Sequence, residues 1–284
     1  MKALYPLVAL KREDDELQRF LRVHAKELSE HEPGVRLGSD PQELHKQRVA
    51  ARRLRALLRS TRSQLQNPVR GERLVKELRW LGGVLGEVRD RDVLIAYLLG
   101  ELETVEEAAA FGAVLELLDA ERQEARTQLL AALDSDRYRD LLADLERPPA
   151  LAEGERLASA PVIEYRRLRK RAEKLGRSPS DSDLHRVRIA IKRARYAAEA
   201  VGGENAFVRR AKEAQDLLGE HQDAAIAEQR IRELVGEVRG TGRTALAGGQ
   251  LIERQRARRV ATRTAWPKTW KRLRQAGDDA WRRG

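Results

Sequence analysis

The chain has 284 residues, a formal net charge of +11 and a pI of about 10.2, so an anionic partner is expected wherever the excess charge is concentrated. It contains no cysteine, which excludes disulfides, thiolate metal sites and cysteine nucleophiles. No apolar run is long enough to cross a membrane and the N-terminus lacks a signal-peptide cleavage site, so we expect a soluble cytoplasmic protein.

Strong helix formers dominate the composition and no segment alternates like a strand, so an all-α fold is predicted. In the first half we predict helices at about 10–31, 41–65, 70–99 and 102–133. The second of these begins after Asp40, an N-cap residue followed by proline at the first helical position. The third is predicted to break near Gly86, while Gly82 and Gly83 either kink it or allow close contact with another helix.

The helix that starts at residue 41 carries an unusual pattern of charge. From Leu44 to Gly71 the chain has eight Lys or Arg residues and no acid, although exposed helix faces usually interleave the two signs. At about 100° per residue, one edge of this helix gathers a basic stripe beside an apolar face. The stripe is His45, Arg48, Arg52, Arg55 and Arg59, and the apolar face is Leu44, Ala51, Leu54 and Leu58. A solvated surface helix is the alternative interpretation.

Two prolines and a glycine between Glu146 and Arg156 interrupt the helical pattern and mark a seam. We predict that residues 1–150 and 151–284 are the two helical halves of one domain. Helices in the second half are predicted at about 155–175, 181–201, 204–238 and 246–265, followed by a short tail. Ser180 and Asp183 are expected to cap the second of these helices.

The second half repeats the pattern of the first. The first repeated block is LHKQRVAARRLRALLRS at 44–60, which aligns with LHRVRIAIKRARYAAEA at 184–200 at an offset of 140. The second is LGEVRDRDV at 85–93, which aligns with LGEHQDAAI at 218–226 at an offset of 133. The third is ERQEAR at 121–126, which aligns with ERQRAR at 253–258 at an offset of 132. Three blocks in the same order indicate a duplicated helical unit. Two basic surfaces related by a pseudo-twofold axis would form one cationic groove, and a polyanion would relieve its self-repulsion.

Such a surface favours a chain of phosphates, because arginine binds phosphate oxygens in pairs and lysine adds a point charge. Nucleic acid is one candidate, but its readers usually add aromatic platforms for the bases or a recognition helix with Asn and Gln. Here Tyr196 is the one aromatic residue on the charged helices, and Trp266, Trp270 and Trp281 near the C-terminus are equally suited to core packing. Inorganic polyphosphate has no base to stack and fits better, with nucleic acid as the alternative and competitor ligand.

The paired H-x-x-R-x-x-x-R/K-x-x-R helices, the two LGE blocks and the duplicated four-helix layout resemble a CHAD domain, a helical family named for its histidines, from about Leu10 to Gln275. The resemblance implies two four-helix bundles around a basic groove that binds inorganic polyphosphate, in a protein found at polyphosphate granules. Such domains are often fused to a triphosphate-hydrolysing tunnel domain. No acidic, strand-rich domain of that kind occurs in this sequence, so we expect a binding protein without enzymatic activity.

By this resemblance, the two histidine-bearing helices supply the first polyphosphate contacts: His45, Arg48, Arg52, Arg55, His185, Arg188, Lys192 and Arg195. Neighbouring helices supply a second set: Lys76, Arg79, Arg209 and Lys212. A third set is Arg22, Arg59, Arg126, Arg169 and Arg258, in which Arg59 departs from the repeat because its counterpart is Glu199. No cofactor is expected.

The histidines suggest three roles. A metal site is disfavoured, because His45 and His185 each stand among arginines without a second ligand at helical spacing. Phosphohistidine or general-acid chemistry, as in a polyphosphate hydrolase or kinase, would need a carboxylate-held metal or an activated nucleophile. We expect each histidine to donate a hydrogen bond to phosphate, so affinity should rise as pH falls through about 6.5. Asp90 is expected to cap a helical segment or pair with an arginine, and His221 to be an ordinary surface or packing residue.

Overall fold

The computed structural model describes residues 4–153, 155, 159–176, 179–202, 205–238 and 240–281. Within these ranges the regular structure is helical, apart from one isolated β-bridge between Leu65 and Leu151, so the all-α prediction is confirmed. The first six helices are α1 (Leu4–Glu30), α2 (Glu32–Leu37), α3 (Pro41–Thr61), α4 (Pro68–Leu102), α5 (Gly112–Asp134) and α6 (Asp136–Glu146). The remaining four are α7 (Ser159–Ala172), α8 (Asp181–Gly202), α9 (Ala206–Glu237) and α10 (Gly242–Trp281).

Local signals set the starts of α3 and α8 as predicted. The Asp40 carboxylate accepts the backbone N–H of Gln42 at 2.8 Å, and Pro41 occupies the first helical position. Ser180 and Asp183 form a reciprocal capping box, in which Asp183 N–H donates to Ser180 Oγ at 3.1 Å and Ser180 N–H donates to Asp183 Oδ2 at 3.2 Å. A cap of this kind stabilises a helix by about 1 kcal/mol.

The predicted break near Gly86 is wrong, because α4 runs from Pro68 to Leu102 without interruption. A single glycine inside a helix costs only about 1 kcal/mol relative to alanine. Fully buried leucines on the same helix, such as Leu81 and Leu85, contribute more than that by packing in the core. Gly86 therefore does not act as a helix breaker.

Other elements also differ from the sequence prediction. A 3-10 turn at Ala108–Phe111 precedes α5, and two helices are additional to the predicted ones, α2 after the first helix and α6 before the seam. The last helix does not end near residue 265 but continues through Pro267 to Trp281, because Trp266 and Leu273 on either side of the proline are held in a core. Gly154 of the seam and the predicted helix start at residue 204 lie outside the described residues.

Buried side chains form three clusters. The first lies among α1, α3, α4, α5 and α6 and includes Leu54, and the second lies among α7, α8, α9 and α10 and includes Ile191. The third joins the far ends of the α4–α5 and α9–α10 pairs, where Leu98 packs in the same cluster as Ile231. In addition α3 packs directly against α8. The two helices with the basic stripes are therefore neighbours.

Candidate anion-binding site

The charged helices turn their apolar faces into different cores and their basic edges toward each other. Leu54 of α3 is fully buried in the first cluster, and Ile191 of α8 is fully buried in the second. Five basic side chains from the two helices then act on one another electrostatically. We call this group the central cluster: Arg48, Arg52, Arg188, Lys192 and Arg195.

Arg52 is where the charges of the two helices meet. Burial lowers the pKa of its guanidinium, and the fields of Arg48, Arg188 and Arg195 lower it further. An arginine nevertheless stays protonated at neutral pH, so the direction of this shift reports a desolvated charge that its neighbours repel. An anion placed against Arg52 would reduce both effects.

Lys192 lies one helical turn beyond Arg188 and is half-buried. Burial lowers the pKa of the Lys192 amine to about 7, and the fields of Arg188, Arg52 and Arg48 act in the same direction. The carboxylate of Asp223 on α9 opposes them without reversing the shift. At neutral pH a substantial fraction of this amine is therefore uncharged.

Two acids face the central cluster from the next pair of helices. Asp90 on α4 accepts a hydrogen bond from Arg48 Nη1 at 2.6 Å, so the predicted pairing with an arginine is confirmed and the capping alternative is wrong. Its counterpart at the 133 offset is Asp223, whose pKa is raised by burial against the fields of Arg188 and Lys192. The side chain of Asp223 is nevertheless exposed to solvent.

The glycines of the two LGE blocks lie beneath arginines of the central cluster. A Cβ on Gly86 would stand 3.5 Å from Nη2 of Arg48, and a Cβ on Gly219 would stand 3.2 Å from Nη2 of Arg188. The α3–α4 contact thus recurs between α8 and α9 at the sequence offsets of 140 and 133. An alanine at Gly219 would press on the guanidinium of Arg188, whereas an alanine at Gly86 would make an ordinary van der Waals contact with Arg48.

The third basic position of each stripe differs between the halves. Arg195 is buried, donates to Glu199 Oε1 at 2.6 Å and to Gln215 Oε1 at 3.2 Å, and lies 4.5 Å from the centre of the Tyr196 ring. Arg55, its counterpart, instead has a pKa that burial lowers and that other arginines lower further. These neighbours are Arg79, Arg52 and Arg59. The α3 side of the site is therefore the more strongly cationic one.

Both histidines of the stripes are half-buried beside polar or cationic partners. Burial lowers the pKa of His45, and the fields of Arg89, Arg52 and Arg48 lower it further. Protonation of His45 in the unliganded protein is therefore expected below the predicted pH of about 6.5. His185 Nδ1 lies 3.0 Å from Gln222 Oε1, at an open depression of about 580 Å³.

The outer predicted residues divide into two groups. Lys76, Arg79, Arg209 and Lys212 are exposed on α4 and α9, and Arg22 is exposed on α1, where it donates to Gln18 at 2.7 Å. Three others contact partners outside the central cluster: Arg126 donates to the carbonyls of Val35 and Arg36, Arg169 pairs with Glu173 and Asp278, and Arg258 pairs with Glu101. These three contribute to local structure.

A buried network in the second half was missed by sequence reasoning. His221 is 1% exposed, with Nδ1 2.9 Å from Thr262 Oγ1 and Nε2 2.9 Å from Asp181 Oδ1. Of the two predicted alternatives, the surface position is wrong and the packing position is right, with two polar partners that were not expected. Arg259 and Arg263 of α10 also pair with Asp181. The partners are tens of residues apart in sequence, and no local pattern predicts them. The network holds the start of α8, and with it the basic stripe, against α10.

Among the described side chains, no three His, Cys, Asp or Glu residues gather as metal ligands would. No helix in the described ranges combines the length and the apolar character needed to span a bilayer.

Comparison with known proteins shows what this arrangement is similar to. A model of the CHAD domain family matches residues 19–232. The uncharacterized proteins Rv2226 and MT2285, from two strains of Mycobacterium tuberculosis, are each 36% identical over 208 residues, which is 66% of this chain and 39% of theirs. The chain thus matches about 39% of the length of these curated relatives.

Two solved structures share the fold over nearly the whole chain. PptA from Streptomyces chartreusis has a TM-score of 0.79 at 26% identity, and the match covers 91% of this chain and 99% of that one. The CHAD domain from the plant Ricinus communis has a TM-score of 0.73 at 27% identity, and the match covers 90% of this chain and 91% of that one.

Proposed function

We propose that this chain, which belongs to the CHAD domain family, binds inorganic polyphosphate between α3 and α8 without catalysing a reaction. The observation that carries the proposal is the central cluster. Its cations come from two helices, lose solvation where the helices meet and repel one another. A flexible chain with about one negative charge per phosphate can neutralise them together, with several charge-assisted hydrogen bonds.

The proposed polyphosphate contacts are assigned from the position of each residue along the basic stripes of α3 and α8. Arg48, Arg52, Arg188 and Lys192 form the centre of the proposed site. His45, Arg55, Arg59 and Arg79 extend it along α3 and α4, while His185 extends it along α8. The exposed cations Lys76, Arg209 and Lys212 would add screened, long-range attraction at its margins. With the counterpart contacts at Gly86 and Gly219, this arrangement supports two related halves facing one groove.

The burial of Tyr196 and Trp266 disfavours nucleic acid as the main ligand. Tyr196 is 3% exposed and Trp266 is 6% exposed, and Trp266 packs in the second core. Neither presents a free ring face on which a base could stack, although such stacking supplies much of the affinity for single strands. A ligand made only of phosphates has no bases, so its affinity does not depend on such stacking. In a cell, the proposed activity would place the protein in the cytoplasm, at polyphosphate granules.

Direct titration with long-chain polyphosphate tests the proposal. We expect saturable binding that weakens steeply with added salt, because phosphate contacts release condensed counterions. Polyphosphate should displace bound RNA at equal phosphate concentration, and its chain length should be unchanged after incubation with Mg²⁺. Displacement of polyphosphate by RNA would favour nucleic acid, and shortened chains would indicate a hydrolase.

A matched pair of charge reversals locates the site. Arg52→Glu with Lys192→Glu should abolish polyphosphate binding with helicity unchanged, because both positions lie in the central cluster. Lys26→Glu with Lys268→Glu changes the net charge equally at exposed positions away from that cluster and should reduce affinity only slightly. Equal losses in the two variants would mean that binding depends on net charge and not on this site.

A further inference from the structure

Lys192 is less exposed to solvent than the other lysine side chains in the described part of the chain. Those lysines are all exposed, and two of them pair with carboxylates, Lys26 with Glu30 at 3.2 Å and Lys46 with Glu43 at 2.8 Å. Lys192 is half-buried among arginines of two helices. It therefore places a nucleophilic atom among guanidinium groups, which are suited to binding phosphate.

We propose that Lys192 is a site of acylation by small acyl phosphates, which the arginines of the central cluster bind through their phosphate group. This inference shares the phosphate-binding cluster with the proposed function. Polyphosphate uses the cluster as one part of a long contact, whereas an acyl phosphate would occupy it alone. The substrate class follows from the two features that lie together here, guanidinium groups for a phosphate and an amine for a carbonyl carbon.

Arginines of two helices act on the Lys192 amine. Arg188 precedes Lys192 by one turn of α8, while Arg48 and Arg52 lie on α3, the helix that packs directly against α8. The Nε atoms of Arg48, Arg52 and Arg188 are buried without a hydrogen-bond partner in the described part of the chain. A ligand would therefore contact the terminal nitrogens, of which Nη1 of Arg48 already donates to Asp90. A phosphate bound to these groups would bring its acyl carbon to the amine.

The reaction balances without any further reactant. The neutral Lys192 amine attacks the carbonyl carbon of the acyl phosphate and forms a C–N bond. The bond between that carbon and the oxygen that bridges it to phosphorus breaks. Inorganic phosphate leaves with the electron pair, stabilised by the arginines that held it. The proton lost by nitrogen passes to water or to the carboxylate of Asp223, the acid whose field acts on Lys192 from α9. The product is an uncharged amide.

The groups facing Lys192 explain why the amine is reactive at neutral pH. Arg188 on its own helix, and Arg48 and Arg52 on α3, oppose its protonation together with burial, while Asp223 on α9 favours it. Ordinary lysines are almost fully protonated at that pH, since their pKa is about 10.4. Acylation would also remove a cation from the proposed site, and polyphosphate affinity should then fall about tenfold.

Incubation of the whole protein with acetyl phosphate, followed by peptide mass spectrometry, tests the inference. Lys192 should be acetylated at least about tenfold faster than Lys26 and Lys268 in the same molecules, with a saturable dependence on acetyl phosphate. At acetyl phosphate concentrations far below saturation, where most of the protein is unliganded, the rate should reach half its maximum near pH 7. Pyrophosphate should suppress the rate by occupying the arginines. Modification of Lys192 at the rate of the exposed lysines would overturn the inference.

A neutral acetylating ester separates anion binding from reactivity. Pyrophosphate should protect Lys192 from acetyl phosphate more strongly than from this ester, and equal protection would contradict a bound acyl phosphate. In Arg188→Gln, if circular dichroism shows native helicity, half-saturation should need more acetyl phosphate, and an unchanged value would count against the site. Polyphosphate titration of the unmodified protein is independent of these results. Saturable polyphosphate binding with unselective acetylation would reject only the acylation of Lys192. Selective acetylation without polyphosphate binding would reject only the proposed function.

Discussion

The guanidinium of Arg188 lies so close to Gly219 that a Cβ there would stand 3.2 Å from Nη2, whereas the equivalent distance from Gly86 to Arg48 is 3.5 Å. The first distance is tight and the second is an ordinary van der Waals contact. Gly86→Ala should therefore raise the free energy of unfolding by about 0.5–1 kcal/mol through helix propensity and leave polyphosphate affinity unchanged. Gly219→Ala should gain less stability and weaken binding severalfold, because Arg188 must move. Denaturant unfolding and calorimetric titration measure both.

Gly83→Ala is the control for this comparison, because nothing lies within 4 Å of the Cβ it would add. Its free energy of unfolding should increase through helix propensity alone, with polyphosphate affinity unchanged. If Gly219→Ala bound polyphosphate as tightly as Gly83→Ala, the position of Arg188 over the glycine would be irrelevant to binding.

Lys192 should make the stability of the unliganded protein depend on pH. Its pKa is about 7 in the folded protein and about 10.4 in the unfolded chain, so the unfolded chain binds more protons between these values. The contribution of this residue to the free energy of unfolding therefore rises as pH increases from about 7 to about 10. Lys192→Met should be more stable than the parent at pH 7, with a difference that shrinks toward pH 10. A constant difference across that range in urea unfolding would show that the folded-state pKa is not depressed.

Asp223 should weaken polyphosphate binding, since its carboxylate faces the cluster that the ligand would occupy. Asp223→Asn removes that repulsion, and we expect affinity to increase about threefold at low salt. The gain should fade at high salt, where charges are screened. Asp119→Asn is the control: this half-exposed residue pairs with Arg122, and its substitution should leave affinity unchanged. Unchanged or weaker binding by Asp223→Asn would place the ligand away from α9.

Asp181 should stabilise the second half through its ion pairs. Burial opposes its ionisation, but hydrogen bonds with His221 and Arg263 outweigh burial and hold the pKa of Asp181 below its ordinary value. Asp181→Asn should lower the free energy of unfolding by about 1–2 kcal/mol at pH 7. Because a depressed carboxyl pKa loses its stabilising effect as pH falls through that pKa, the two proteins should converge in strong acid. Thermal unfolding at several pH values measures this, with Asp140→Asn on the exposed face of α6 as the control.

His45 should couple binding to protons at acidic pH. Burial and three arginines lower its pKa in the unliganded protein, and a bound phosphate would reverse that field. Affinity of the parent relative to His45→Gln should therefore increase as pH falls from about 8 to about 5.5. The ratio of the two dissociation constants is the quantity to measure, because it cancels the titration of the ligand itself. A flat ratio would remove His45 from the phosphate contacts.

Much of the fold could be predicted because it depends on local patterns. The apolar periodicity of α3 and α8 gave their length and buried face, and the caps at Asp40 and Ser180 gave their starts. Local reasoning failed at Gly86 and Pro267, two residues that usually end helices. In both places tertiary packing outweighs a local preference of one to a few kcal/mol, and no pattern along one helix reports it.

The amino-acid sequence alone determined that the chain is helical, that its excess positive charge is concentrated on two related helices, and that each stripe borders an apolar face. Only the tertiary structure decided that α3 and α8 are neighbours, that Arg52 faces Arg188, and that Asp223 approaches from a third helix. The physical reason is range: helix propensity and capping act within a few residues, whereas desolvation and Coulomb repulsion depend on groups about 140 positions apart in the chain. A depressed lysine pKa therefore arises only where folding brings such groups together.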